Sequence, residues 1–343
     1  MWHIGNLRID GRVVLGPMSG FSSSGYRDFM KPFGVGLSMT EMVSDMGVIH
    51  GVARTENYVC FPHNHPTGVQ LFGSDPERMA EAASTALKSN PDIALFDINM
   101  GCPVAKVLRS GSGSVLMKNP KLCGRIVKAV SKAVDVPVTA KIRLGYDNDS
   151  INFREVMHEL ESAEVDAICI HPRTRTEHYL GVPHYDVVAD IRKDMSVPLI
   201  ISGNIFSRED AVNALKITGA EGVMVARGGI GNPFLVTQID RYLRNGEVLE
   251  NPTVAQQADW CMQLADMIVA EKGEDAGYRK LRSFAPKFVA GCPRCRKYRL
   301  RLATETVNRD ALKTIMDEIC AKMGDEHIRT QGCPLPIDPN RPW

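Results

Sequence analysis

The sequence predicts an α/β protein: a (β/α)8 barrel of the TIM type, followed by a small C-terminal helical bundle. Three observations carry this. Eight short apolar, β-branched runs recur along the chain with amphipathic stretches between them. Most of the runs are continuous rather than alternating, as in parallel strands covered on both faces. Past Arg244-Asn245-Gly246 no strand-like run follows, and apolar residues repeat only at helical spacing. Eight βα units are the arithmetic of a closed barrel, whereas an open doubly wound sheet usually has fewer strands.

The runs are Val13–Leu15, Leu37–Met39, Gly68–Leu71, Ala94–Ile98, Val138–Ile142, Ala167–Ile170, Leu199–Ile201 and Gly222–Val225. Helix signals fill the gaps. Asp75-Pro76-Glu77 offers a cap, a proline where no N–H is needed and a first-turn acid. Ser207 to Asp210 resembles a capping box. Pro137 and Pro198 stand just ahead of strands, where helices must end. Beyond the barrel, Val254, Ala258, Cys261, Leu264, Ala265 and Ile268 mark one helix closed by Gly273, and Leu312 to Met323 another before Gly324. The expected division is a barrel over 1–246, a helical domain over 247–325 and an extended, Pro-rich tail over 326–343.

Composition narrows the class. The chain has 343 residues, 41 Lys+Arg against 40 Asp+Glu, and 44% hydrophobic residues. This excludes a disordered charged tail, a collagen-like chain and a coiled-coil rod. No apolar run approaches the ~20 residues of a membrane span. The start lacks the basic-then-apolar pattern of a signal peptide. Nine scattered cysteines, an odd number, argue against a disulfide framework and for a reducing, cytoplasmic setting. Cys60, Cys123, Cys169, Cys261 and Cys320 read as small apolar fillers.

Barrel chemistry sits at the C-terminal ends of the strands. In order, the runs lead into Gly16-Pro17-Met18-Ser19, Thr40-Glu41-Met42, Gln70, Asn99-Met100-Gly101-Cys102-Pro103, Lys141 with Arg143, His171-Pro172-Arg173-Thr174, Ser202-Gly203-Asn204 and Ala226-Arg227-Gly228-Gly229. Nearly every strand ends in a polar or reactive group, which random surface loops seldom produce. The last two loops are glycine-rich, in the places where barrels often bind phosphate through backbone N–H groups. Arg227 could add charge there. Lys141 interrupts an apolar strand; a buried lysine is costly unless it bridges a carboxylate or faces an anionic ligand. Cys102 stands on a catalytic-face loop shaped by glycine and proline, where a thiol can be nucleophile, metal ligand or general acid.

These residues resemble a known family. Asn99 to Pro103, continuing to Lys106-Val107 and Gly111-Ser112-Gly113, is similar to the signature of tRNA-dihydrouridine synthases. Pro17 to Gly20, Lys141 to Gly145, His171 to Arg175 and Ala226 to Pro233 match in the same order, over about residues 10–325, and the bacterial branch fits best. The resemblance implies an FMN-bound barrel that reduces a tRNA uridine to 5,6-dihydrouridine, with NADPH re-reducing the flavin. It implies Pro17, Met18 and Ser19 along the isoalloxazine, Gln70 at its polar edge, Lys141 at its pyrimidine end, and His171 facing it. Ser202, Gly203, Asn204, Ala226 and Arg227 would hold its phosphate. Asn99 and Arg173 would contact the uracil. Cys102 would protonate C5 while hydride reaches C6 from the opposite face. Two departures stand out: family members often read Asn-Gly-Asp/Glu where this chain has Ser202-Gly203-Asn204, and Ser19 replaces a common alanine.

The C-terminal region points to RNA independently. Between Ala276 and Thr304 there are nine Lys/Arg, Arg296 and Lys297 among them, with no Asp or Glu. Tyr278, Phe284, Phe288 and Tyr298 are interleaved. A basic stripe with aromatics suits a phosphate backbone, whereas a merely solvated helix face would mix signs. Cys292-Pro293-Arg294-Cys295 is a lone C-x-x-C; Cys320, His327 and Cys333 complete no standard zinc spacing, so no metal is expected. No obligate protein partner is implied. Two other readings share some of these features: an FMN barrel reductase of a small molecule, which does not require the basic C-terminal region, and a non-catalytic tRNA-binding module, against which Cys102, Lys141 and His171 argue.

Overall fold

A computed structural model of the chain describes residues 1–330 and 332, apart from 53–54, 56–57, 60 and 62–65. Cys60, Cys333 and most of the tail expected over 326–343 thus lie outside the described residues.

The chain opens with an antiparallel hairpin, β1 (Trp2–Ile4) and β2 (Leu7–Ile9), which the sequence reading missed. All eight apolar runs then fold as strands: β3 (Val13–Leu15), β4 (Leu37–Met39), then, past a two-residue β5 (Val43–Ser44), β6 (Thr67–Phe72), β7 (Leu95–Asn99), β8 (Val138–Arg143), β9 (Ala167–His171), β10 (Leu199–Ser202) and β11 (Gly222–Val225). Every pairing among the eight is parallel. β11 returns to pair with β3, and β4 pairs with β6, so the sheet closes on itself. The hairpin seals the N-terminal end. Trp2, Ile4 and Ile9 join one apolar cluster with Leu37, Leu95, Ala167 and Met224 from the barrel interior. Trp2 lies so close to Gly222 that a Cβ there would come within 3.0 Å of the indole.

Around the barrel run α1 (Ser24–Met30), α2 (Asp45–Ile49), α3 (Pro76–Ser89), α4 (Ala105–Leu108), α5 (Pro120–Ala133), α6 (Phe153–Ser162), α7 (Arg208–Thr218) and α8 (Phe234–Asn245). Asp75 caps α3 by accepting from Arg78 N at 3.0 Å, and Ser207 and Asp210 form the expected capping box of α7. Between β9 and β10 there is no α-helix; two 3-10 turns, Tyr185–Val188 and Ile191–Asp194, make the crossover. Gly181, Pro183 and the Val187-Val188 pair leave that stretch a poor helix former. Gly246, in the left-handed region, ends α8 where the sequence changes character.

The remaining helices are α9 (Val254–Lys272), α10 (Glu274–Leu281), α11 (Ala285–Phe288), α12 (Arg296–Thr304) and α13 (Arg309–Met323). Thr253 and Gln256 form a capping box at the start of α9. These helices share one continuous apolar cluster with the barrel's helical layer. Phe284, just before α11, packs edge-on against Phe21 at 4.9 Å and tilts against Tyr26 at 5.5 Å. The aromatics interleaved in the basic stripe thus turn inward: Tyr278, Phe284, Phe288 and Tyr298 are buried. This corrects their reading as part of an RNA-facing surface, because aromatic rings seat the helices on the barrel at far lower cost than in water. Among the described residues no helix is long and apolar enough to cross a membrane.

Candidate active site at the C-terminal mouth of the barrel

Strand register gathers the polar residues of the sequence into one patch. Gln70 pairs with Asp97, Asp97 with Thr139, Asn99 with Lys141, Lys141 with Cys169 and Arg143 with His171. Around the C-terminal mouth Pro17, Met18, Cys102, Lys141, Gly203, Asn204, Ala226 and Arg227 are half-buried, and Ser19 is exposed. Beneath them Gln70, Asn99, His171, Arg173 and Ser202 are buried.

The Cys102 loop, between β7 and α4, is held from three sides. The Asn99 side-chain oxygen accepts Gly101 N at 3.2 Å and Cys102 N at 2.9 Å. The buried Arg143 guanidinium donates to Gly101 O at 2.7 Å and to the carbonyls of Thr174 and His178. Ser114 donates its N–H and its hydroxyl to Cys102 O. Gly113 (φ +67°) fits there because it has no side chain: a Cβ would sit 2.9 Å from Cys102 O. Burial pushes the Cys102 thiol above its ordinary value, against the opposing pull of a Val104 backbone hydrogen bond and the Arg143 and Lys141 charges. At neutral pH the group is therefore a thiol, with a proton to give.

Lys141 stands in the same mouth. Among the described residues its ammonium donates no hydrogen bond, although it lies in the field of Asp97. His171 is a neutral imidazole. Burial first, then the Arg143, Lys141, Arg173 and Arg227 charges, hold it well below its ordinary 6.5. Its Nε2 meets Arg173 Nη1 at 2.9 Å. The fully buried Arg173 spends its other nitrogens on Leu180 O and Gly181 O. Arg173 is thus fully buried, tied both to His171 and to the 180–181 loop.

The seventh and eighth loops close on each other. Arg227 Nη2 donates to Asn204 Oδ1 at 3.1 Å, and Asn204 occupies the left-handed region (φ 48°), which asparagine tolerates. Tyr185 donates its hydroxyl to Gly203 O. A Cβ on Gly228 would collide with the carbonyl oxygen of Ile205, so the backbones touch only because position 228 is glycine. Ser202 donates to Ile170 O at 3.3 Å. In the loop after β3, Ser22 accepts Met18 N at 2.9 Å and donates to Gly16 O, setting Pro17 to Ser19 along the rim.

Arg296 and Lys297 are exposed on α12, with Arg299 and Leu300 beside them. Lys280 and Lys287 link that surface to the mouth: Lys280 Nζ lies 4.7 Å from the Phe21 ring and in the field of Glu41. Burial and the Arg299 and Arg227 charges pull Lys287 below its ordinary value. Arg301 is neutralised by Glu305 and Glu318, which lie beyond the acid-free stretch. Asp97, Thr139 and Ser114 belong to this site and were not expected; Arg143 was noted at the end of its strand without a role. The period-two spacing Asp97/Asn99 and Thr139/Lys141/Arg143 was the available signal for Asp97 and Thr139. Among the described residues no three His, Cys, Asp or Glu come together to hold a metal.

A family model for dihydrouridine synthase (Dus) matches residues 14–323. The chain belongs to the dihydrouridine synthase family. A probable tRNA-dihydrouridine synthase of Rickettsia conorii is 34% identical over 301 residues, covering 87% of this chain and 90% of that one. A probable tRNA-dihydrouridine synthase 1 of Synechocystis is 37% identical over 272 residues, covering 79% and 76%. The tRNA-dihydrouridine synthase B of Pseudomonas aeruginosa is 33% identical over 297 residues, covering 86% and 89%. The family match takes in α9 to α13 as well as the barrel, a region that a small-molecule barrel reductase would leave unexplained.

Proposed function

We propose that the chain is a tRNA-dihydrouridine synthase, an oxidoreductase that reduces the C5=C6 bond of a uridine in tRNA. The carrying observation is a protonated thiol, Cys102, on a loop pinned from three sides, in the same barrel mouth as the Lys141 ammonium. FMN fits this mouth: among the described residues Lys141 has no hydrogen-bond acceptor, and the loops at 203–204 and 227–228 form a glycine cradle with a guanidinium at its rim. Bound there, FMN would supply hydride to C6, with NADPH as its reductant.

The chain's own residues do the rest. Pro17, Met18 and Ser19 line one side of the ring site, and Gln70 and Lys141 present an N–H and a positive charge to its pyrimidine end. Gly203, Asn204, Ala226 and Arg227 hold the phosphate; Ser202 shapes that loop through Ile170 O. Asn99 orients the uracil, and Cys102 keeps the proton destined for C5. His171, neutral, faces the ring. Arg173 acts through His171 and the 180–181 loop. Arg296 and Lys297 meet tRNA phosphates. The described cysteines are all free thiols; a reducing, cytoplasmic setting is part of the same proposal.

The test is incubation of the purified protein with FMN, NADPH and tRNA from a strain lacking its gene. Dihydrouridine should form at a defined position as NADPH is consumed. Flavin-loaded protein that leaves every uridine intact would overturn the reading.

A further inference from the structure

The interior of the barrel holds a carboxylate that the proposed reaction does not use. Asp97 is 1% exposed, in the middle of β7. Its Oδ1 accepts the Thr139 hydroxyl at 2.7 Å, and its Oδ2 accepts the Gln70 side-chain N–H at 2.6 Å. Gln70 Oε1 in turn accepts Asn99 Nδ2 at 2.7 Å, and Asn99 Oδ1 accepts the N–H groups of Gly101 and Cys102. The chain of bonds has a direction, fixed at both ends. Burial raises the Asp97 carboxyl, opposed by the hydrogen bonds from Gln70 and Thr139 and by the Lys141 charge; as the ionised group that these partners favour it only accepts, so Gln70 turns its amide nitrogen toward Asp97. Backbone N–H groups can only donate, so Asn99 must turn its oxygen toward Cys102. The two ends demand the same orientation of the amides between them.

That orientation decides what is left over. Each amide nitrogen has a second N–H. Asn99's faces the Met42 sulfur at 3.9 Å, a weak acceptor, and Gln70's has no protein acceptor among the described residues. Both amide oxygens are already engaged. With the Lys141 ammonium beside Asn99 in the register, the groups of this relay still free to meet a ligand are N–H donors.

We propose that Asp97 is a positioning residue that sets the direction of the Gln70–Asn99–Cys102 relay, so that the barrel mouth offers N–H donors and selects a ligand edge rich in carbonyl or imine acceptors. The relay itself stands on the geometry alone; that the acceptor-rich edge belongs to a flavin rests on the function proposed above. An amide at position 97 can still accept from Gln70 only by turning its NH2 onto Thr139, whose hydroxyl must then accept and loses the acceptor for its own proton. In the other amide orientation Gln70 and Asn99 must both reverse, which sets Asn99 N–H against Cys102 N–H, or a donor is left buried and unpaired, costly in an interior.

Two readouts on the full-length protein test this. The first needs no flavin: the alkylation rate of Cys102 by iodoacetamide, followed by peptide mass mapping. Asp97→Asn and Asp97→Ala should each raise it at least fivefold with the circular dichroism spectrum unchanged. The second is FMN titration, where Asp97→Asn should weaken binding at least tenfold. In the double variant Gln70→Glu/Asp97→Asn, residue 70 can again accept from Asn99, so Cys102 alkylation should return toward the wild-type rate while FMN binding stays weak. Folded Asp97→Asn and Asp97→Ala variants that both keep wild-type alkylation would overturn the relay. Wild-type protein that binds no FMN would sink the flavin reading while the alkylation result still decides the relay. If Asp97→Ala fails to fold, the Asp97→Asn and double variants decide.

Discussion

Glu271 on α9 accepts the backbone N–H of Gly25, in the first turn of α1, at 2.8 Å. Burial pushes the Glu271 carboxyl up, but hydrogen bonds from Lys272, Gly25 and Ser23 outweigh it and hold it below its ordinary value. A carboxylate at a helix N-terminus is also favoured by the helix dipole. A Cβ at Gly25 would stand 2.9 Å from Met267 O, so the helices meet backbone to backbone. This is the joint that sets the basic helices relative to the barrel mouth. Glu271→Ala should cost roughly 1–2 kcal/mol in urea denaturation. It should weaken tRNA binding more than FMN binding. Unchanged stability and affinity would show the joint to be redundant.

Cys102→Ala should nearly abolish dihydrouridine formation, by about 10²–10⁴-fold, while flavin reduction by NADPH survives. The acid form is the active one, and burial raises its pKa, so activity should hold through the ordinary thiol range and decline only above it. A pH–rate profile of reoxidation by tRNA checks the sign; a decline that begins below the ordinary thiol value would contradict it.

Lys141→Ala removes the one ammonium in the mouth's register row. The variant should lose flavin during purification, or reduce it more slowly, with little change in folding. Flavin content and stopped-flow absorbance report both effects, and wild-type values in both would strip Lys141 of this role.

Arg296→Glu with Lys297→Glu should weaken tRNA binding and leave NADPH oxidation intact. Wild-type affinity should fall steeply with salt, and the variant's salt slope should be shallower. Filter binding at several salt concentrations is enough; a variant with wild-type affinity would remove α12 from the docking surface.

His171 makes folding acid-sensitive. Its folded pKa lies well below 6.5, so an unfolded chain takes a proton there that the folded one refuses. Stability from this group is complete above pH 6.5 and is lost as pH falls toward the folded value, by about 1.4 kcal/mol per pH unit. In His171→Asn the dependence of unfolding free energy on pH between 6.5 and 5 should flatten by about one proton. Parallel wild-type and variant curves would mean the ring is charged in the fold.

All eight barrel strands were legible because a strand covered on both faces must be apolar throughout. The same habit hid Asp97 and Thr139, which sit inside such runs and find their partners only across strands. The hairpin escaped because three-residue strands around Gly5-Asn6 carry too little pattern. Lys141 and Cys102 were visible as anomalies of type and place. Arg173 was visible too, but its orientation depends on a loop seven residues downstream. Arg301 looked like free charge because its partner Glu318 is on another helix. Burial of Phe284 and Phe288 is likewise a tertiary fact.

The hairpin that stops the bottom of the barrel has a kinetic corollary. With the floor covered and the barrel interior packed, ligands reach the mouth from one side only. On the function proposed above, NADPH and tRNA share that doorway, and each leaves before the other enters. Initial-rate plots at varied NADPH and tRNA should therefore give parallel rather than intersecting lines. Trimming away Trp2 to Ile9 would unseal the floor and let water rise beneath Met224 and Leu95.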